Sequence, residues 1–274
     1  MKITPIAMAD AGTAPVLFLP LFQGQGTADA DFFRAVPASR RAALAAFEKK
    51  YFKGEDGEIR SVWFPAGAPE RIILVGLGAR DKWHERREPI MARRMVRFAE
   101  TEKISSFAVP LPPGMSARTF AVNALMARFT YAKYKTPPKE GWPEVKSIFL
   151  GVAEDGAQDA RRDIAEGIVI GTAVNAAREL ANTPGSDMTP TLLAAAAVKI
   201  SKATAGIKIR IFDEKAMKRL GMGGVLGVAR GSDEKPRFII MEYLKGPKNQ
   251  KPLVLVGKGV TFDTGGINLK PEQY

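Results

Sequence analysis

Three side chains near the end of the sequence could do chemistry together: Lys258, Asp263 and Lys270. They lie in L-V-L-V-G-K-G-V-T-F-D-T-G-G-I-N-L-K-P, residues 253–271. Asp263 supplies a hard oxygen that suits a divalent cation. Lys258 has three readings: a surface cation, a phosphate contact or a metal ligand. To serve as a ligand its amine must lose a proton, and a neighbouring dication promotes that loss. Lys270 would then be a second amine, free to polarise a carbonyl. Spacing alone leaves a blander reading open, a glycine-rich surface turn with two solvated lysines.

For these groups to converge, one element must carry them. Leu253–Val256 is apolar, β-branched and short, and reads as a buried strand. Gly257-Lys258-Gly259 and then Asp263-Thr264-Gly265-Gly266 break it. In open α/β sheets ligand chemistry collects beyond the carboxyl ends of strands, which is where these residues would fall. Glycines there let the backbone turn tightly beside a ligand.

The wording of the stretch is more informative than its spacing. V-G-K-G-V-T-F-D-T-G-G-I-N-L-K-P closely resembles the active-site segment of the leucyl aminopeptidase family, the cytosol aminopeptidases, and matches it at every fixed position. N-A-A-R-E-L-A-N-T-P-G-S-D-M-T-P, residues 175–190, resembles the same family. So does the order V-L-G-V-A-R-G-S, then P-R-F-I-I-M-E-Y. The likeness is strong from about residue 160 to 273 and weaker before.

That resemblance implies an α/β fold in two domains. Residues 1–150 would form a macro-domain-like N-terminal domain, 151–182 a connecting helix, and 183–274 the first part of a metallopeptidase catalytic domain. Lys258 and Asp263 would be ligands of a two-metal centre, and Lys270 a catalytic lysine. The cofactors would be two divalent ions, manganese or zinc, with magnesium or cobalt as alternatives. The reaction implied is release of N-terminal amino acids, leucine-preferring but broad, by metal-activated water. Partners would be peptides with a free N-terminus and, in the full-length protein, five further copies in a homo-hexamer. The family's other ligands, an aspartate and an N-T-D-A-E-G-R motif, fall later than Tyr274. One amine and one carboxylate cannot hold two hard cations with about six ligands each. The expectation is therefore an aminopeptidase whose 274 residues, alone, are inactive. A non-catalytic fragment is the rival reading.

Composition narrows the field further. With 274 residues and 46% apolar content, the chain suffices for one large domain or two ordinary ones. There is no cysteine, so disulfides and thiolate metal sites are excluded. The single histidine, His84, lies in polar D-K-W-H-E-R-R and reads as a surface residue. The formal charge of +12 permits a nucleic-acid-binding role. The basic residues are scattered, however, with Arg86-Arg87 and Arg93-Arg94 the densest pairs, and clustering on one face is the criterion. No signal-peptide or membrane-length apolar run is evident, so no membrane role and a cytoplasmic location are expected.

The rest of the chain alternates strands and helices, which implies helices packed on sheet faces. Strands are expected at 3–7, 16–21, 61–64, 71–76, 107–111, 145–152, 207–212 and 237–243. Ser39, Ser116, Thr189 and Asp213 are candidate helix caps, the second for a helix running to about Tyr134. A helix is expected at 89–103, its Met91 and Met95 filling the core. Residues 155–182 read as one helix of about 40 Å, and the Pro-rich 134–141 as a linker. Gly76 and Gly78 suggest a dinucleotide fingerprint, but Asp81 stands where its third glycine is needed, so a tight turn is expected. Glycines 221–231 lack a Walker pattern and suggest close backbone packing instead.

Overall fold

The computed structural model describes residues 1–26, 32–112 and 114–262. The chain divides into two compact units, Met1–Ala177 and Arg178–Tyr274.

Unit one is built on a six-stranded sheet in the order β1-β6-β5-β2-β4-β3. Its strands are β1 (Lys2–Ala7), β2 (Val16–Leu21), β3 (Ile59–Trp63), β4 (Arg71–Gly76), β5 (Ser106–Pro110) and β6 (Ser147–Val152). All neighbours run parallel except β3, which lies antiparallel to β4 at one edge. Strands buried on both faces read as continuous apolar runs, and β4, R-I-I-L-V-G, is buried at every position.

Side-chain alternation along the strands assigns the two faces. Phe18, Ile73, Val75, Phe107 and Leu150 point into one core, together with Met91 and Met95. Those methionines sit on α2 (Glu88–Thr101), and the layer is completed by α3 (Ala117–Ala127) and α4 (Ala157–Asn182). Leu17, Leu19, Ile72 and Leu74 point into the other core, which Leu44 of α1 (Ala38–Tyr51) closes. The expected arrangement of helices on the sheet faces is therefore present. α3 and α4 cross closely because α4 offers glycine: a Cβ on Gly167 would meet the Arg118 carbonyl oxygen at 2.7 Å, and one on Gly171 the Leu125 Cβ at 2.9 Å.

Two helix ends differ from expectation. Ser116 caps α3 by accepting from the Thr119 N–H at 3.2 Å, but α3 stops at Ala127, well short of Tyr134. Its Leu125 carbonyl takes a hydrogen bond from the Asn175 amide of α4 at 2.9 Å, so a tertiary partner satisfies that end. Ser39 lies inside α1, whose cap position is Pro37 with no side-chain bond.

Unit two contains α5 (Pro190–Ala203), α6 (Glu214–Arg219) and α7 (Gly223–Val228), with an antiparallel ribbon of β7 (Ile207–Phe212) and β8 (Phe238–Tyr243). Thr189 caps α5 by accepting from the Leu192 N–H at 3.3 Å. Asp213 caps α6 by accepting from the Ala216 N–H at 2.8 Å. Residues opposite one another share a face of the ribbon. Ile207, Ile209, Ile211, Ile239, Met241 and Tyr243 thus share one face, and Lys208, Arg210 and Glu242 lie on the other with Phe212, Phe238 and Ile240.

Two expectations fail in unit two. Leu253–Val256 is not a strand and is exposed throughout. A strand needs a hydrogen-bonding neighbour, and among the described residues β7 and β8 pair only with each other. Among the described residues the glycines of 221–231 do not serve close packing: none lies within 4 Å of a Cβ built on Gly221, Gly223, Gly224, Gly227 or Gly231. Gly221 instead supplies a left-handed turn, φ +67°, after α6.

Candidate metal centre

Of the three candidate side chains, the structure describes one. Lys258 is exposed in an irregular segment, and among the described residues no carboxylate pairs with its ammonium. Asp263 and Lys270 lie outside the described residues. No group of three or more His, Asp or Glu residues able to hold a metal ion occurs among the described residues. Several carboxylates of unit two are already engaged. Asp213 caps α6, and Glu242 faces Arg210 at 3.7 Å. Lys218, 2.6 Å from Glu214 with Lys235 beyond it, holds that carboxyl below the usual glutamate range. The described donor set is thus one free amine, which is too little by itself for a hard divalent cation.

The backbone leading to Asp263 is positioned by another segment that resembles the family. α4 ends in Asn182-Thr183-Pro184-Gly185. The Asn182 amide donates to the Arg178 carbonyl at 2.8 Å, and the Thr183 hydroxyl to the Glu179 carbonyl at 2.7 Å. Both side chains thereby serve helix termination. The Met188 N–H then closes the turn onto the Pro184 carbonyl at 2.8 Å. Against this turn lie Thr261 and Phe262. A Cβ on Gly185 would sit 2.9 Å from Phe262 Cδ2 and 3.0 Å from the Thr261 carbonyl oxygen, so only glycine admits the contact without a shift. The residue after Phe262 is Asp263. Sequence reading noted the turn but not this contact, which pairs residues far apart in the chain.

The other sequence features have ordinary roles. His84 is exposed. Gly76 packs on backbone, with a Cβ placed 2.0 Å from the Glu55 carbonyl oxygen, and Gly78 turns at φ +76° beside Asp56, so the pair makes a tight turn. Of the densest basic residues, three are tied down within unit one and Arg86 is exposed. Arg87 and Arg94 each bind Asp56 at 2.9 Å, and Arg93 binds Asn123 at 2.8 Å. No helix among the described residues is long and apolar enough to cross a membrane.

Fold and comparison together place the chain in a class before a family. The fold is that of a two-domain leucine aminopeptidase: a mutant of the tomato enzyme superimposes with a TM-score of 0.80 at 24% identity, over 97% of this chain and 55% of that one. The bottromycin maturation enzyme BotP in complex with Mn gives a TM-score of 0.63 at 21% identity, over 83% of this chain and 45% of that one. Family models for the cytosol aminopeptidase family match twice, its N-terminal domain at residues 19–138 and its catalytic domain at 175–274. The chain belongs to the cytosol aminopeptidase family. A probable cytosol aminopeptidase of Bordetella petrii is 34% identical, covering 84% of this chain and 49% of the relative. One from Alkalilimnicola ehrlichii is 32% identical, covering 96% of this chain and 55% of the relative. The chain therefore spans about half the length of the curated relatives it matches.

Proposed function

We propose that this sequence serves in a metal-dependent aminopeptidase that releases N-terminal amino acids, leucine among them, from peptides in the cytosol. What carries the reading is the catalytic-domain match over 175–274, in which K-G-V-T-F-D-T-G-G-I-N-L-K-P falls. Lys258 and Asp263 would hold divalent metal, manganese or zinc, in a two-ion centre. A bound divalent pair activates water near neutral pH and polarises a carbonyl. In the chain itself, Lys258 must give up its proton to coordinate, and among the described residues no carboxylate pairs with it. The Gly185 turn fixes the backbone before Asp263. Lys270 would place a positive charge against the oxygen that becomes anionic as the peptide carbonyl is attacked. The assembled enzyme is proposed to be a homo-hexamer, on the family resemblance alone.

The test joins this chain in frame to the part of the Alkalilimnicola ehrlichii relative beyond its match. The fusion should hydrolyse leucine p-nitroanilide with added Mn²⁺ and stop on chelation. Lys270→Ala should lower kcat by roughly 10²–10³-fold while metal content stays constant. A folded fusion that is silent with every divalent metal, or one indifferent to chelation, would sink the reading.

A further inference from the structure

Unit one carries a concavity of about 840 Å³, lined by the last turn of α1, the turn over residues 52–58 and Arg60 of β3. That size suits a small molecule. The turn is fastened to the carboxyl end of β4. The Gly57 N–H donates to the Gly76 carbonyl at 3.1 Å, and the Gly78 N–H to the Gly54 carbonyl at 2.9 Å. In open α/β sheets ligands collect beyond the carboxyl ends of strands. The turn also holds its own shape. The N–H groups of Lys53, Gly54 and Glu55 donate to Glu58 Oε2 at 2.9, 3.0 and 3.4 Å. Arg60 donates to the Tyr51 carbonyl at 3.2 Å and lies 3.2 Å from the other Glu58 oxygen.

The lining chemistry names a ligand class. Two of its acids are engaged, Glu58 by the turn and Asp56 by Arg87 and Arg94. Lys49, Lys50 and Lys53 are exposed, and among the described residues no carboxylate pairs with them. Lysines in a last helical turn complement the helix dipole. That accounts for Lys49 and Lys50, but not for Lys53 or for the aromatic group between them. Tyr51 is 49% exposed. Its ring lies 5.1 Å from that of Phe47, and Lys50 Nζ sits 4.9 Å from its centroid. A planar ring among ammonium groups fits a ligand that joins an aromatic base to anionic oxygens. The base stacks on the ring, and the lysines act as point charges toward phosphate. A bare anion would leave Tyr51 idle, and an uncharged aromatic would leave the lysines idle. We propose that this concavity binds a nucleotide, its base against Tyr51 and its phosphates among Lys49, Lys50 and Lys53.

Calorimetric titration of the 274-residue chain at low ionic strength, where phosphate contacts are least screened, compares magnesium-free ATP with tripolyphosphate, adenosine and a short oligothymidylate. ATP should bind at least about fivefold more tightly than tripolyphosphate, and hydrogen exchange should slow at residues 47–58. Tyr51→Leu should abolish that margin and leave tripolyphosphate binding unchanged. Lys50→Gln combined with Lys53→Gln should weaken ATP binding by roughly tenfold or more. All three positions are exposed, so thermal melts of the variants should match the parent and separate lost binding from lost folding. ATP that binds no better than tripolyphosphate or adenosine overturns the proposal. So does binding that survives both sets of substitutions, or exchange that slows only outside residues 47–58. An oligothymidylate that outbinds ATP through Tyr51 would make this a nucleic-acid contact, and overturns it as well.

Discussion

The described residues of the two units bury their apolar side chains to very different extents. In unit one, strands β2, β4, β5 and β6 each lie between two others, and helices cover both faces of the sheet. Among the described residues of unit two, β7 and β8 have only each other, and side chains as apolar as those of β4 stand in solvent. The apolar runs themselves do not differ: I-I-L-V in β4 and L-V-L-V at 253–256 are near equivalents. What differs, among the described residues, is whether a second surface meets them. Apolar character is a property of a segment, whereas a core is a property of two.

Matched substitutions test that contrast. Leu74→Ala empties a fully buried site in β4 and should cost about 2–5 kcal/mol. Leu255→Ala, at a site that is mostly exposed, should change stability by under about 0.5 kcal/mol. Urea unfolding measures both, and equal costs would erase the distinction. Glycines give the next largest difference. Gly76→Ala forces a methyl into the Glu55 carbonyl and should cost about 1–3 kcal/mol or more. Gly227→Ala, in a helix and facing open space, should stabilise by roughly 0.5–1 kcal/mol. A loss of stability at Gly227 would mean that unit two is packed there after all.

Gly185 probes a close contact within unit two. Gly185→Ala should cost about 1–2 kcal/mol through crowding of Phe262 and Thr261. Phe262→Ala in the same chain should recover part of it, leaving the share that belongs to the Thr261 carbonyl. No recovery in thermal melts would remove Phe262 from the contact.

A further small effect is electrostatic. The Arg94 hydrogen bond, with Arg94 and Arg87 charge beside it, holds the Asp56 carboxyl below its ordinary range. A lowered folded pKa contributes stability above the unfolded value, and that contribution is lost as pH falls through the folded value. Asp56 is half exposed, so Asp56→Asn should cost under about 1 kcal/mol at neutral pH. The gap to wild type should close below about pH 4; a gap constant with pH would show that the pairs contribute nothing. Glu100 should behave oppositely. Burial raises its pKa despite Arg97 and Arg128, so its ionisation weakens the fold as pH rises through that value.

Unit one was legible almost strand by strand, because runs such as I-I-L-V and F-A-V-P carry their own burial signal and their partners are supplied within the same unit. The errors arose where a distant residue decided the outcome. The end of α3 depends on Asn175, fifty residues on, while Tyr131 and Tyr134 kept up a helical spacing that misled. Leu253–Val256 was read correctly as apolar and wrongly as a strand, since pairing is not encoded in the segment that needs it. In the candidate site, Lys258 stood out by its glycine neighbours, but the Gly185–Phe262 contact left no local signal. Asp263 and Lys270 lie outside the described residues, and their roles remain proposals.

β1 bears on how the protein is made. Among the described residues Lys2–Ala7 pairs with one strand of the sheet, Ser147–Val152. At ribosomal rates of roughly 5–20 residues per second, the opening strand waits about 7–30 s for its mate to be translated. Until then its edge is open to any other nascent chain nearby, and holdase chaperones have that interval in which to cover it.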